Sequence, residues 1–145
     1  MKIIQATTEQ PEDLVSLFDA YRIFYEQESD KKSAKQFLNC RISKNESVIF
    51  IAYIDHVAVG ITQLYPSFSS VSMKRSYILN DLYVDKTYRK KGVGSRLLNK
   101  AKELCIEKDY KGLGLQTGIE NPAQLLYERL GWVKEPYLDY FWVNK

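Results

Sequence analysis

The sequence predicts a mixed α/β fold, and three observations carry that prediction. Apolar residues recur at helical spacing early in the chain, at Leu14, Leu17, Phe18, Tyr21 and Phe24, and then give way to strand-like runs at 48–54 and 57–65. The two runs are separated only by Asp55-His56, which reads as the turn of an antiparallel hairpin. A strand at 77–84, an amphipathic helix at 95–108 and a strand at 111–117 then form a crossover, whose right-handed geometry makes its two strands parallel.

The remaining elements follow in order. Residues 2–7 read as a first strand and 11–27 as a helix, with Thr8 as its cap and Pro11 in its first turn. A second helix at 33–43 carries Phe37, Leu38 and Ile42. In the crossover helix, Leu97, Leu98, Ala101, Leu104 and Cys105 share one face while Arg96, Lys100, Glu103 and Glu107 share the other. A last helix at 121–130 is opened by Asn121-Pro122 and stopped by Gly131, and 132–134 and 138–143 read as final strands. Gly112-Leu113-Gly114 precedes a strand and is read as structural. His56 is a turn residue, and Cys40 and Cys105 are read as helix packing residues.

With 145 residues, 45% hydrophobic and 27% charged, the chain fits one domain, 1–145, able to bury its own core. The net charge of +3 is modest and its lysines and arginines are dispersed, which argues against a nucleic-acid partner. No apolar run reaches membrane-spanning length and the first residues lack a long apolar leader, so a cytoplasmic protein with no membrane partner is expected. Two cysteines and a lone histidine offer neither a disulfide framework nor a metal site, so no metal is expected.

The most informative stretch is Arg89-Lys90-Lys91-Gly92-Val93-Gly94, at the junction of strand and helix. Its glycines allow a tight turn and close backbone approach, and the helix start offers free N–H groups and a positive dipole end. A diphosphate suits it. Leu97 stands where a dinucleotide fingerprint needs its third glycine, and the Gly-Lys-Ser/Thr ending of a P-loop is absent.

Arg-x-x-Gly-x-Gly resembles instead the coenzyme A signature of the GNAT-type N-acetyltransferases. Asn121 to Trp132, with Leu126-Tyr127-Glu128 and Gly131-Trp132, resembles the closing motif of the same family. Two motifs in the right order, with a strand between them, extend the resemblance over Leu79 to Trp132. The resemblance implies a mostly antiparallel mixed sheet flanked by helices, with a parallel strand pair that splays apart at the cofactor site. Acetyl-CoA is then the implied cosubstrate. Its pantetheine is expected beside Leu82, Tyr83 and Val84, and its phosphates at Arg89, Lys90, Lys91, Gly92, Val93, Gly94 and Ser95, with Asn121 and Tyr127 completing the site.

The chemistry bounds the catalytic groups. An amine of pKa about 10.4 is neutral in roughly one molecule in a few thousand at pH 7, and only that form attacks a thioester. The thiolate that leaves is helped by an acid. Tyr127 matches the tyrosine that the family holds near the sulfur. The polyamine acetyltransferases show Leu-Glu-Asp-Phe-Phe-Val where this chain has Leu79-Asn80-Asp81-Leu82-Tyr83-Val84, so an amide replaces their carboxylate at Asn80 and Asp81 remains as the candidate base. Strand alternation puts Asp81 on the opposite face from Asn80 unless a bulge intervenes.

The acceptor is expected to meet Tyr25, Glu26, Tyr65, Phe68 and Asn80, an aromatic and acidic set suited to a cationic amine. Asn80-Asp81 with Gln63-Leu64-Tyr65-Pro66 is similar to the branch holding fungal histone and D-amino-acid acetyltransferases. The expected function is direct transfer of acetyl from acetyl-CoA to a primary amine of a small molecule or peptide, with no covalent enzyme intermediate. A homodimer is the family-level expectation, and the tail aromatics Tyr137, Tyr140, Phe141 and Trp142 either close the core or exchange with a partner. The alternative is a non-catalytic acyl-CoA binding or sensing module.

Overall fold

A computed structural model describes residues 1–145. Its sheet has five strands in sequential order, β1 (Lys2–Gln5), β2 (Val48–Ile54), β3 (Val57–Ser69), β4 (Lys74–Val84) and β5 (Leu113–Gly114). All neighbours are antiparallel except β4 and β5, which are parallel. Asp55 and His56 turn β2 into β3 with φ of 48° and 67°, the left-handed pair whose twist matches a two-residue hairpin.

The strand β3 runs past Tyr65, where the sequence predicts its end, because Pro66 falls on an open side. Pairing with β2 stops at Val48 opposite Leu64, so the missing proline N–H breaks no ladder bond there.

Two helices cover one face of the sheet. From α1 (Pro11–Phe24) and α2 (Lys31–Ser43), Leu14, Leu17, Phe18, Ala34 and Leu38 pack with Ile49, Ile51 and Ile61. On the other face, α3 (Val93–Glu107) buries Val93, Leu97, Leu98 and Ala101 against Phe50, Val59, Leu64, Tyr77 and Leu79. Leu126, Tyr127 and Leu130 of the short α4 (Ala123–Arg129) and its end join that second core.

Gly60 in β3 lets α3 sit this close. A Cβ there would lie 3.0 Å from both the Tyr83 carbonyl oxygen and Val93 Cγ1.

All four helices end in the same way. The N–H groups of Gln27, Glu46, Tyr110 and Trp132 each reach back five residues, and the residue before each has positive φ. Gly131 ends α4 as predicted, but Glu26, Asn45 and Asp109 fill the other three positions without a glycine to announce them. That turn stops α1 at Phe24, three residues short of its predicted end.

Several expectations are corrected. Gln10, not Thr8, occupies the cap position of α1, with no side-chain cap bond, while Asp30 caps α2 by accepting the Ser33 N–H at 3.1 Å. Cys40 is exposed, as are Phe24 and Phe37, because α1 and α2 bury only a narrow stripe. The strand predicted at 111–117 shrinks to β5, and 132–134 and 138–143 form no strand. The tail has strand propensity but pairs with no strand of the chain, and β-structure needs a paired neighbour. No helix is long and apolar enough to cross a membrane.

Candidate active site

The parallel pair supplies the opening. β4 and β5 pair only at Tyr77 with Leu113 and Ile78 with Gly114. Beyond that point β4 continues to Val84 bonded to β3 alone, while Leu115, Gln116 and Thr117 diverge. The wedge between them is a cleft of about 630 Å³ lined by Leu79 to Val84 except Asp81, by Leu115 to Thr117, and by α1, α3 and α4.

The geometry fits an extended ligand with a phosphate end. One edge of β4 is free to bond it, and Thr117 Oγ1, in the opposite wall, is buried without any hydrogen-bond partner.

The phosphate end is built by the backbone. After β4, the Asp85 carboxylate accepts the Thr87 N–H at 2.9 Å and its hydroxyl at 2.7 Å, fixing the 3-10 turn Lys86–Tyr88. Those bonds hold the Asp85 carboxyl below the ordinary range. Arg89 donates Nε to the Val84 carbonyl at 2.9 Å and lies 5.7 Å from the ring centres of Phe24 and Tyr83.

Lys90 and Gly92 then adopt φ of 62° and 81°. A Cβ at Gly92 would touch nothing within 4 Å, so its value is conformational and not spatial. Gly92 accepts the Arg96 N–H at 3.1 Å, and the N–H groups of Val93, Gly94 and Ser95, in the first turn of α3, have no acceptor within the helix.

The other end is built by side chains. Gln63 pairs with Asp81 but Leu64 pairs with Leu79, so Asn80 is the extra residue of a bulge. The bulge reverses the faces of β4. Tyr77 and Leu79 pack toward α3, and so do Leu82 and Val84, whereas Tyr83 packs toward α1 and α2.

Asp81 is thereby buried behind Asn80, only 2% exposed. Its carboxylate accepts a short bond from Gln63 Nε2 and one of 2.7 Å from Asn80 Nδ2, and Ser47 Oγ donates to Gln63 Oε1 at 2.7 Å. Burial pushes the Asp81 carboxyl above the ordinary range, against the opposing bonds from Asn80, Gln63 and Tyr21.

Tyr21 links this carboxyl to the cleft. Its hydroxyl donates to the Asn80 carbonyl at 3.3 Å and lies near enough to the Asp81 carboxylate to feel its charge, and it lines the cleft with Tyr25 and Phe24. Burial first, and the Asp81 charge second, raise its pKa well above that of a free phenol. Tyr127, half-buried against Trp132 with ring centres 6.3 Å apart, is raised by burial and by nearby Tyr25, so both phenols hold their protons at neutral pH.

The cleft therefore gathers Leu82, Tyr83, Val84, Arg89, Lys90, Gly92, Val93, Gly94, Ser95, Asn121, Tyr127, Tyr25 and Asn80. Asn121 also caps α4, its Oδ1 accepting the Ala123 N–H at 2.9 Å. Other candidates lie apart. Lys91 is off the lining, its Nζ 5.2 Å from the Tyr88 ring centre. Tyr65 sits beside Asp81, and burial together with that charge pushes it up to about 12.

Glu26 is consumed by the end of α1, and Phe68, 70% exposed, lies under the Arg75 guanidinium at 4.9 Å. The acidic loop after α1 is structural. Buried Asp19 accepts the Ser29 hydroxyl at 2.7 Å and the Asp30 N–H at 2.8 Å, which pins that loop.

Sequence reasoning missed Arg129, Gln116 and Thr117 in the lining and Gln63 and Ser47 behind Asp81. Arg129 lies within the Asn121–Trp132 motif and Gln63 within Gln63-Leu64-Tyr65-Pro66, but neither motif gave them a role. No group of three or more metal-ligating side chains occurs.

The comparisons with known proteins agree with this fold. The model of the Acetyltransferase (GNAT) family matches residues 14–132. The chain is 46% identical over 145 residues to YhfO, an uncharacterized N-acetyltransferase of Bacillus subtilis, covering 99% of this chain and 97% of that protein. It is 34% identical over 104 residues to a probable acetyltransferase of Haemophilus influenzae, covering 71% of each. The crystal structure of a probable acetyltransferase superposes with a TM-score of 0.94 at 38% identity, covering 100% of this chain and 99% of that one. By sequence match, fold and kinship the chain is an acyltransferase and belongs to the GNAT acetyltransferase family.

Proposed function

We propose that this enzyme moves the acetyl group of acetyl-CoA directly to a primary amine of a small molecule or peptide, working as a homodimer in the cytoplasm. The observation that carries this reading is one cleft with a backbone-built anion site at one end and paired proton-handling groups at the other.

Acetyl-CoA, bound there, supplies an acetyl thioester, and the net reaction exchanges its C–S bond for a C–N bond. The first turn of α3 and the Lys90–Gly92 turn hold the phosphates through N–H groups, with Arg89, Lys90 and Arg129 adding charge. The free edge of β4 at Leu82 to Val84 bonds the pantetheine. Tyr127, kept protonated by burial, gives its proton to the departing sulfur and recovers one from the second proton that the nitrogen sheds once the C–N bond has formed.

The amine must lose a proton to attack. Asp81 is too deeply buried to touch it, so the proton passes to the Tyr21 oxygen while the Tyr21 hydroxyl proton moves to the Asp81 carboxylate. Asn80 and the Gln63–Ser47 pair hold that carboxylate in place. The aromatic rings of Tyr21, Phe24 and Tyr25, backed by this one buried acid, favour a cationic amine over a neutral or anionic acceptor.

Thiol release from acetyl-CoA, followed across polyamines, amino acids of both chiralities, aminoglycosides and lysine peptides, tests the reading. Acceptor-dependent release that falls in Tyr127→Phe is expected. Tight coenzyme binding without release on any amine would favour a sensing module instead.

A further inference from the structure

The end of α1 borders the cleft with little apolar cover. Phe24 and Tyr25 are 58% and 55% exposed, although both line the cavity that holds the proton-handling groups. With so little burial, the last turn of the helix depends on specific contacts to stay down.

Those contacts converge on Arg89. Its Nε donates to the Val84 carbonyl at 2.9 Å, which ties the side chain to the last residue of β4. The guanidinium carbon then lies 5.7 Å from the ring centre of Phe24 and 5.7 Å from that of Tyr83, within range of a cation–π contact with both. Tyr83 faces this side of the sheet because the bulge at Asn80 reverses β4. One cation therefore joins α1, β4 and the start of the anion turn.

The contacts continue into the acceptor end. The ring of Phe24 meets that of Tyr25 edge-on at 5.3 Å, and Tyr25 meets Tyr21 at 5.0 Å. Tyr21 in turn donates to the Asn80 carbonyl at 3.3 Å. The aromatic wall is thus fixed to β4 at two points, by Arg89 near Val84 and by Tyr21 at Asn80. With Nε engaged, Arg89 keeps its terminal Nη groups for an anion.

We propose that Arg89 is a positioning residue for the acceptor wall: it braces Phe24, and through Phe24 the rings of Tyr25 and Tyr21, against β4. Its effect on turnover rests on the acetyl-transfer reading, whereas the brace itself does not. On that reading coenzyme is held mainly by the N–H groups of the turn, so losing the brace impairs the acceptor more than the coenzyme.

Hydrogen exchange of the unliganded protein tests the brace. The N–H groups of Tyr25, Glu26 and Gln27 bond to the carbonyls of Tyr21, Arg22 and Ile23, and those bonds open when the end of α1 lifts. Lysine keeps the charge of arginine but not its planar face or its Nε–H. In Arg89→Lys and in Phe24→Leu, exchange at these three residues is expected to rise about 3- to 10-fold, while exchange in α3 stays as in wild type. Phe24→Tyr, which keeps a ring face, is expected to exchange like wild type. The double variant Arg89→Lys, Phe24→Leu should add little to either single change, because both remove one contact. Unchanged exchange in either single variant, or fully additive effects in the double, would overturn the proposal.

Kinetics separate positioning from phosphate binding. The acceptor KM is expected to rise about 3- to 10-fold in Arg89→Lys, with coenzyme dissociation, measured by calorimetry, within about twofold of wild type. Weakened coenzyme with an unchanged acceptor KM would assign Arg89 to the phosphates and overturn the proposal. If wild type acetylates no amine, the acetyl-transfer reading falls, and the exchange result still decides the brace.

Discussion

The two ends of the cleft are made by different means. At the phosphate end the working groups are N–H groups of one contiguous segment, Lys90 to Ser95, shaped by φ values of 62° and 81°. At the acceptor end they are side chains from α1, β3, β4 and the approach to β2, brought together by a one-residue bulge. Backbone sites tolerate side-chain exchange but not conformational change, whereas a side-chain network fails when any member is replaced.

That contrast is sharpest at Asp81. Asp81→Asn is expected to lower kcat about 100-fold or more while leaving coenzyme affinity near wild type, a split that steady-state kinetics and coenzyme titration separate. The wild-type rate should rise with pH through the raised carboxyl pKa, because the ionised form accepts the proton, and that acid limb should vanish in the variant. Stability moves the opposite way. A carboxyl whose folded pKa is raised favours the fold below its unfolded value, about 3.9, and that contribution is lost as pH climbs through the folded value. Melting curves of wild type against pH check the sign.

Tyr127→Phe tests the same end more gently. It is expected to reduce kcat about 10- to 100-fold, since other donors can assist the leaving thiol, with coenzyme dissociation hardly altered.

Gly92→Ala probes the backbone end. Holding alanine at φ 81° costs about 1–2 kcal/mol, so coenzyme binding measured by calorimetry should weaken about 5- to 30-fold with little effect on kcat at saturation. Gly60→Ala reaches the same turn from below, and the crowded Cβ should lower the melting temperature by about 2–10 °C.

The smallest effect belongs to the charges on the rim. Arg129→Gln should weaken coenzyme binding only a few-fold, and raising ionic strength from 0.1 to 0.5 M should erase most of the difference. A loss equal to that of Gly92→Ala would show that charge, not backbone, dominates the phosphate end.

This division explains what the sequence disclosed. The anion turn was legible because its parts are adjacent in the chain and because Gly92 stands where the helix begins. The crossover and the hairpin followed from periodicity and handedness, and the splayed pair from the family resemblance. The Asp81 surroundings were hidden, because nothing in Leu79-Asn80-Asp81-Leu82 reveals an extra residue opposite Gln63-Leu64. That bulge depends on which faces of β4 meet α3. The end of α1 was misjudged for a similar reason, since Glu26 adopts a conformation that glycine usually signals. The tail looked like strand because its residues favour strands, yet propensity cannot supply an edge.

One wall, Leu115 to Thr117 with Tyr127, separates the cleft from a second cavity of about 600 Å³, bordered on its far side by Trp132, Glu135 and Tyr137. Any factor by which a guest in the second cavity changes the affinity of the cleft for coenzyme is the factor by which coenzyme changes the affinity for that guest.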